Sequence, residues 1–344
     1  MNEIRTIEPF IRLGERLAEE LLDGTIEPVI RRSEAENPWF SRANVVSAIQ
    51  AICTDMLDGR NLGSWLARYP AAGRPSDETV GIVMAGNIPL VGFFDLLCVL
   101  ICDRCCLIKP SSKDRVLIGH IVDLLREIEP RFSIGALEGK VPDRLIASGS
   151  DEARRHFASV YPDTPSLLRG HRYSVAVLSG QESDRQLDGL YDDVFSYFGL
   201  GCRNVSRIFV PHGYDLQGLC RRLSARPITH TGYLNNYRQV RAMRLLSGTE
   251  FIDGGFFLMR PGADKEGPLS EIACTSYESV GSVERLLRER DREIQCVVSA
   301  TLDHPRRVDF GQAQHPSLTD YPDGIDVMEF LLAGSPAPAD RRQL

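Results

Sequence analysis

Apolar residues recur along this chain with two different periods, and those periods divide it into elements. Phe10, Leu13, Leu17 and Leu21 repeat at helical spacing, so the chain opens with an amphipathic helix whose other face is charged. From Thr79 an unbroken apolar run, TVGIVMAG, ends at Asn87-Ile88-Pro89, which predicts a buried strand running into a turn. Residues 93–102 read as an apolar helix and 105–109 as a short strand. Leu117, Ile121, Leu125 and Ile128 form the stripe of another helix, closed by Pro130. Residues 144–147 and 173–178 are two more strands, and strands alternating with helices predict a parallel sheet.

At residue 179 the pattern restarts. Ser183 and Gln186 fit a capping box, and Leu187, Leu190, Tyr191, Val194 and Phe198 fall on one helical face. That helix leads into Gly199-Leu200-Gly201-Cys202, after which residues 205–210 read as a strand stopped by Pro211. Strands over 251–259, 272–277 and 294–300, with a helix near 282–290, predict a second α/β unit. The tail from Ser335, with Pro336 and Pro338, is expected to be loose.

Length and composition narrow the class. At roughly 150 residues per domain, 344 residues make about two domains. Hydrophobic residues at 43% and charged residues at 25% are ordinary for a globular protein and exclude disorder or simple coiled coil. A net charge of −7 without a long basic run leaves no nucleic-acid footprint, so a small-molecule partner is expected. The longest apolar stretch, residues 88–102, contains Pro89, Gly92 and Asp95 and falls short of the roughly 20 residues of a membrane span. MNEIRTIEPFIRL lacks the features of a secretion signal, and nine Cys, an odd number without framework spacing, read as reduced thiols; the expected compartment is cytoplasmic.

Several familiar motifs are missing. The only G-x-G, Gly199 and Gly201, is followed by Asn204 where a dinucleotide fingerprint needs a third glycine, and neither a P-loop nor H-E-x-x-H occurs. Cys102 and Cys105 have no second Cys/His pair, so they read as packing and no metal is expected.

Three other residues and one short segment have chemistry within reach. Cys202, between glycines and Arg203, is expected to have a thiol pKa below the ordinary value of about 8.5 and to act as a nucleophile; the alternative is an inert, buried Cys. Asn87, at a strand end, can donate to a developing oxyanion or simply form a turn. Lys109 can reach a ribose or phosphate, or be merely solvated. Ser148-Gly149-Ser150 admits a close phosphate, as many turns do.

Read in order, MAGNIPL, LIKPSSKD and FGLGCRNVSRIFVP, with RYSVAVL, NNY and FGQAQHPSLTDYPDGID, resemble the acyl-CoA reductase family of the LuxC type, over about residues 79–332. The resemblance implies an α/β, aldehyde dehydrogenase-like fold with a Rossmann-type cofactor domain and an α/β catalytic domain. It places an N-terminal helical region and the cofactor domain at residues 1–178 and the catalytic domain at 179–310. Residues 311–344 then pack back or bridge subunits of a homo-oligomer. It makes Cys202 the nucleophile and Asn87 the side-chain half of the oxyanion hole, with the nucleophile's own N–H as the other half. Lys109, Ser111 and Ser112 lie at the adenosine ribose, and Ser148, Gly149 and Ser150 under the pyrophosphate.

The implied reaction is reduction of a fatty acyl thioester, from acyl-CoA or an acyl-carrier protein, to the aldehyde. NADPH is expected over NADH, because Ser112 stands where NAD-preferring members hold a Glu and Lys113 adds a cation; alternatively Ser112 only caps the helix beginning near Asp114. A hydrolytic aldehyde dehydrogenase is one rival. It needs a carboxylate roughly thirty residues before Cys202, where this chain reads Leu167-Leu168-Arg169-Gly170, leaving Asp192 or Asp193 as its remaining candidates. A degenerate acyl-binding or scaffold subunit is the other. The family pattern has Pro where Glu271 stands, which bears on nicotinamide-side contacts, and Ala where Pro322 stands.

Overall fold

The computed structural model describes residues 2–334, so the expected loose tail from Ser335 lies outside the described residues. Within that range the chain forms two units, one of residues 2–36, 45–170 and 325–334, the other of 37–44 and 171–324.

Helices α1 (Asn2–Asp23), α2 (Glu27–Glu36), α3 (Arg42–Ala51) and α4 (Gly59–Leu66) come first. The stripe that predicted α1 is its buried face, with Phe10, Leu13 and Leu17 wholly enclosed. Next come β1 (Thr79–Val83), α5 (Phe93–Ile101), β2 (Cys105–Lys109), α6 (Arg115–Ile128), β3 (Ile134–Ala136), β4 (Arg144–Ser148), α7 (Asp151–Val160) and β5 (Ser166–Arg169). Every residue of α5 is buried, as its unbroken apolar sequence requires. The five strands are parallel, in the order β3-β2-β1-β4-β5. The order reverses at β1 and β4, and ligands of open α/β sheets bind beyond the carboxyl ends of the strands at such a point.

The second unit contains β6 (Tyr173–Val177), α8 (Asp184–Phe195), β7 (Val205–Pro211), α9 (Leu216–Leu223), α10 (Thr231–Leu246), β8 (Ile252–Asp253), β9 (Leu258–Pro261), β10 (Glu271–Tyr277), α11 (Val280–Glu289), β11 (Ile294–Val298) and β12 (Arg307–Val308). Its seven strands run in the order β12-β11-β6-β7-β10-β9-β8, parallel apart from the β8 and β9 pair. From Ile325 the chain rejoins the first unit, where Asp326 caps α12 (Val327–Leu332) and Met328 meets Cys102 at 3.8 Å.

Three sequence expectations change. The strand over 173–178, taken as the end of the cofactor domain, pairs with β7 and β11, so the unit boundary falls after Gly170. An apolar strand pattern states burial, not which sheet receives it. The single strand over 251–259 is instead β8 and β9, separated by a Gly254-Gly255 turn in which Gly255 has φ +84°. Phe198 leaves the predicted helical face because α8 ends at Phe195.

Glu271 is fully buried and receives Arg244 at 2.6 Å from α10 and Arg260 at 2.7 Å from β9. Its place in this chain is that of an anchor between a helix and two strands. Glu271→Ala is expected to cost about 2–4 kcal/mol in urea unfolding, below the full buried-pair range because both arginines are partly solvated. A loss under about 0.5 kcal/mol contradicts the anchor.

Candidate active site

Helix α8 starts with the predicted capping box: Ser183 accepts from Gln186 N–H and Gln186 accepts from Ser183 N–H. Its other end is unusual. Tyr197, Phe198 and Gly199 follow at φ 52°, 59° and 73°, three left-handed residues in a row, a conformation that costs roughly 1 kcal/mol or more at each non-glycine position.

Asn204 holds this reversal. Its side-chain amide donates to the carbonyls of Asp193 (3.2 Å), Val194 (3.2 Å) and Ser196 (2.9 Å), and its Oδ1 accepts from Gly201 N–H at 2.8 Å. A helix leaves its last carbonyls without partners, and here one buried amide takes them up. Phe198 is stacked on His230 with ring centroids 4.5 Å apart and meets Trp39 edge-on at 5.9 Å.

Cys202 is therefore presented by a closed loop as an exposed residue. Its carbonyl accepts from Ser174 Oγ at 2.9 Å, and that hydroxyl accepts from Cys296 N–H at 3.2 Å. Arg203 donates to the carbonyl of Ala313. The carboxylate of buried Asp193 takes the N–H groups of Gly311 (2.7 Å) and Ala313 (2.9 Å), so residues 310–313 lie strapped along α8. The contact is tight: a Cβ on Gly189 would come 2.8 Å from Gly311 N.

The thiol differs from its sequence expectation. The protein mass around Cys202 raises it to about 11, with Asp323 and Cys296 adding, and Arg203 offsets this only in part. The Arg203 cation lowers the thiol, as its place in the sequence suggested, but the surrounding protein outweighs it; its Nε donates to the Ala313 carbonyl.

The remaining predicted site residues lie in the first unit, at the carboxyl ends of three strands. Asn87 is exposed in the turn after β1. Lys109 ends β2, exposed, with Nζ 5.4 Å from the Phe157 ring centre. Ser111 is half-buried and accepts from Lys113 N–H, whereas Ser112 is exposed. The N-cap position of α6 belongs to Asp114, so the capping alternative for Ser112 is not what the fold uses. At the end of β4, Ser148 accepts from Arg169 at 3.2 Å, and beyond it Ser150 caps α7 by accepting from Ala153 N–H. An exposed cation, hydroxyls and the N-terminus of a ten-residue helix fit a dinucleotide's ribose and phosphates.

Sequence reading missed Asn204 and Ser174 in the second unit and Asp95 in the first, and named Asp193 only as a candidate hydrolytic carboxylate, not as the anchor of residues 311–313. Arg169 donates to both oxygens of Asp95, at 2.9 and 2.7 Å, and the pair is buried. Asp193 carries no spacing signal, since it sits beside the apolar stripe of α8 like any polar neighbour. Among the described residues no cluster of His, Cys, Asp or Glu is arranged for a metal ion, and no helix is long and apolar enough to cross a membrane.

No family model matches the chain, and no curated protein does. Solved structures do. A putative aldehyde dehydrogenase from Burkholderia cenocepacia is 13% identical, with 88% of this chain and 75% of that one covered at a TM-score of 0.62. An aldehyde dehydrogenase from Mycobacterium tuberculosis, complexed with NAD+, is 14% identical over 88% and 74% at 0.64. An NAD-dependent benzaldehyde dehydrogenase from Corynebacterium glutamicum is 15% identical over 88% and 77% at 0.65. The fold of this chain is aldehyde dehydrogenase-like.

Two outcomes are expected. Asn204→Ala should lose roughly 2–4 kcal/mol in chemical denaturation, and Asn204→Asp at pH 7 should lose more, because it turns a carboxylate oxygen toward three carbonyls. Iodoacetamide labelling of Cys202, followed by peptide mass spectrometry, should rise about tenfold per pH unit from about pH 7 to 10 without levelling; a plateau below about pH 8 contradicts the raised thiol.

Proposed function

We propose that this protein reduces fatty acyl thioesters to aldehydes through an acyl-enzyme on Cys202. The observation that carries the reading is an exposed cysteine on a locked turn, in an aldehyde dehydrogenase-like fold whose candidate hydrolytic bases are all occupied or missing. Strand β5 reads Ser-Leu-Leu-Arg, with Arg169 tied to Asp95. Asp193 holds two backbone N–H groups, and Asp192 pairs with Arg226 at 3.2 Å. Without a general base, an acyl-enzyme is not directed toward water.

The Cys202 thiolate attacks the thioester carbonyl, and Asn87, with the Cys202 N–H, takes the negative charge that develops on oxygen. The carrier thiol leaves with a proton. A reduced nicotinamide, when bound, would supply a hydride to the acyl carbon, and a proton from solvent would complete the thiohemiacetal. Collapse of that adduct breaks the C–S bond, releases the aldehyde and returns the proton to Cys202. A thiol near 11 is almost wholly protonated at neutral pH, so acylation is expected to accelerate as pH rises.

The substrate in this reading is acyl-CoA or an acyl-carrier protein thioester, in the cytoplasm. Exposed Ser112, followed by Lys113, supports NADPH over NADH, since neither repels a 2′-phosphate and both can donate to it.

Incubation with an acyl-CoA should add one acyl group to the wild type and none to Cys202→Ala by intact mass; an adduct on the variant sinks the assignment. Supplied with aldehyde, oxidised cofactor and CoA, the enzyme should form acyl-CoA in excess of free acid. For the cofactor, kcat/KM should favour NADPH in the wild type, and Ser112→Glu should reduce that preference at least about tenfold. Equal use of both cofactors in the wild type excludes a 2′-phosphate role for Ser112.

A further inference from the structure

Asp114 occupies the N-cap position of α6 and does not cap it. Its side chain makes no bond to the helix; Oδ2 accepts Leu90 N–H at 2.8 Å, and Oδ1 is buried without a hydrogen-bond partner among the described residues. Leu90 stands three positions after Asn87 at φ 58°, a left-handed conformation that the surrounding contacts must hold.

The same residue closes the neighbouring loop. Asp114 N–H donates to Ser111 O at 3.0 Å, closing the turn of residues 111–114 that follows β2. Gly86, just before Asn87, lies against this turn so closely that a Cβ there would meet Ser111 Oγ at 2.5 Å and Asp114 Cβ at 3.4 Å. An Asp at this position ordinarily takes the first free N–H groups of its helix, and using it elsewhere forgoes roughly 1 kcal/mol of capping. Burial is a second cost, since it disfavours the ionised carboxyl and pushes it up to about 8. A group retained against both costs is explained by what it holds in place.

We propose that Asp114 is a positioning residue: through Leu90 it fixes the turn that carries Asn87 and joins that turn to the Lys109–Ser112 segment. The inference rests on the reading of Asn87 as an oxyanion donor and adds the residue that aims it. Asp114 itself touches neither substrate nor cofactor in this role. Removing an oxyanion donor costs about 10²- to 10³-fold in rate, so loosening its turn should cost a part of that.

The test compares Asp114→Asn, which keeps an acceptor for Leu90 N–H, with Asp114→Ala, which does not; Asp114→Ser, too short to reach, substitutes if the alanine variant fails to fold. Hydrogen exchange of the full chain should show faster exchange across residues 87–92 in the alanine variant than in the wild type or the asparagine variant. With an acyl-CoA and NADPH, kcat should fall about 10- to 100-fold in Asp114→Ala and recover to within about threefold in Asp114→Asn, with the cofactor KM little changed. In an Asn87→Ala background the same change should cost less than about threefold. Equal exchange in all variants, or an undiminished loss in that background, overturns the proposal. If Asn87→Ala leaves kcat unchanged while exchange still depends on Asp114, the turn is held as proposed and the oxyanion role of Asn87 fails.

Discussion

The carbonyls left without partners where α8 ends set the conditions for everything chemical in the second unit. A helix terminus buried without donors is costly, and the chain meets that demand with one side chain, Asn204, which lies beyond a reversal of three left-handed residues. The bond from Gly201 N–H to the same amide closes the loop, so the conformation that satisfies the helix is also the one that exposes Cys202. Strain at Tyr197 and Phe198 is tolerated because the amide, the His230 ring and Trp39 hold both sides of it.

A second constraint works through charge. Asp193 and Arg203 lie on opposite sides of this turn and both bind residues 310–313, one through backbone N–H groups and one through a carbonyl. The C-terminal FGQA segment, part of the stretch that resembles the family, thereby acquires a physical role as the strap of the nucleophile loop. Arg203 also lowers the thiol, but desolvation by the protein around Cys202 outweighs it. Glu271 and Arg169 repeat the principle. Each is a buried charge facing an opposite charge, Arg169 through Nη1 alone, and each ties distant elements of its own unit together.

In the first unit the topology assembles the candidate cofactor segments. Strands β1, β2 and β4 are neighbours in one parallel sheet, so the turns that follow them emerge at one end. Asn87, Lys109 and Ser148 are widely separated in sequence and share that end because of strand order. The contact of Gly86 with Ser111 shows how close two of these turns come.

Local features were legible in the residues alone: the buried stripe of α1, the fully apolar α5, the capping box of α8, the β1 strand and the glycine-flanked turn at Cys202. Those features are written in residues three or four positions apart, where backbone hydrogen bonds and side-chain periodicity act. The tertiary structure alone decided which sheet β6 enters, that Asp193 grips Gly311 and Ala313 at separations of 118 and 120 residues, and that Asp114 turns from its own helix to Leu90, 24 residues away. It also decided the state of the Cys202 thiol, because desolvation is a sum over everything that surrounds a group, and neighbours in sequence are a small part of that sum.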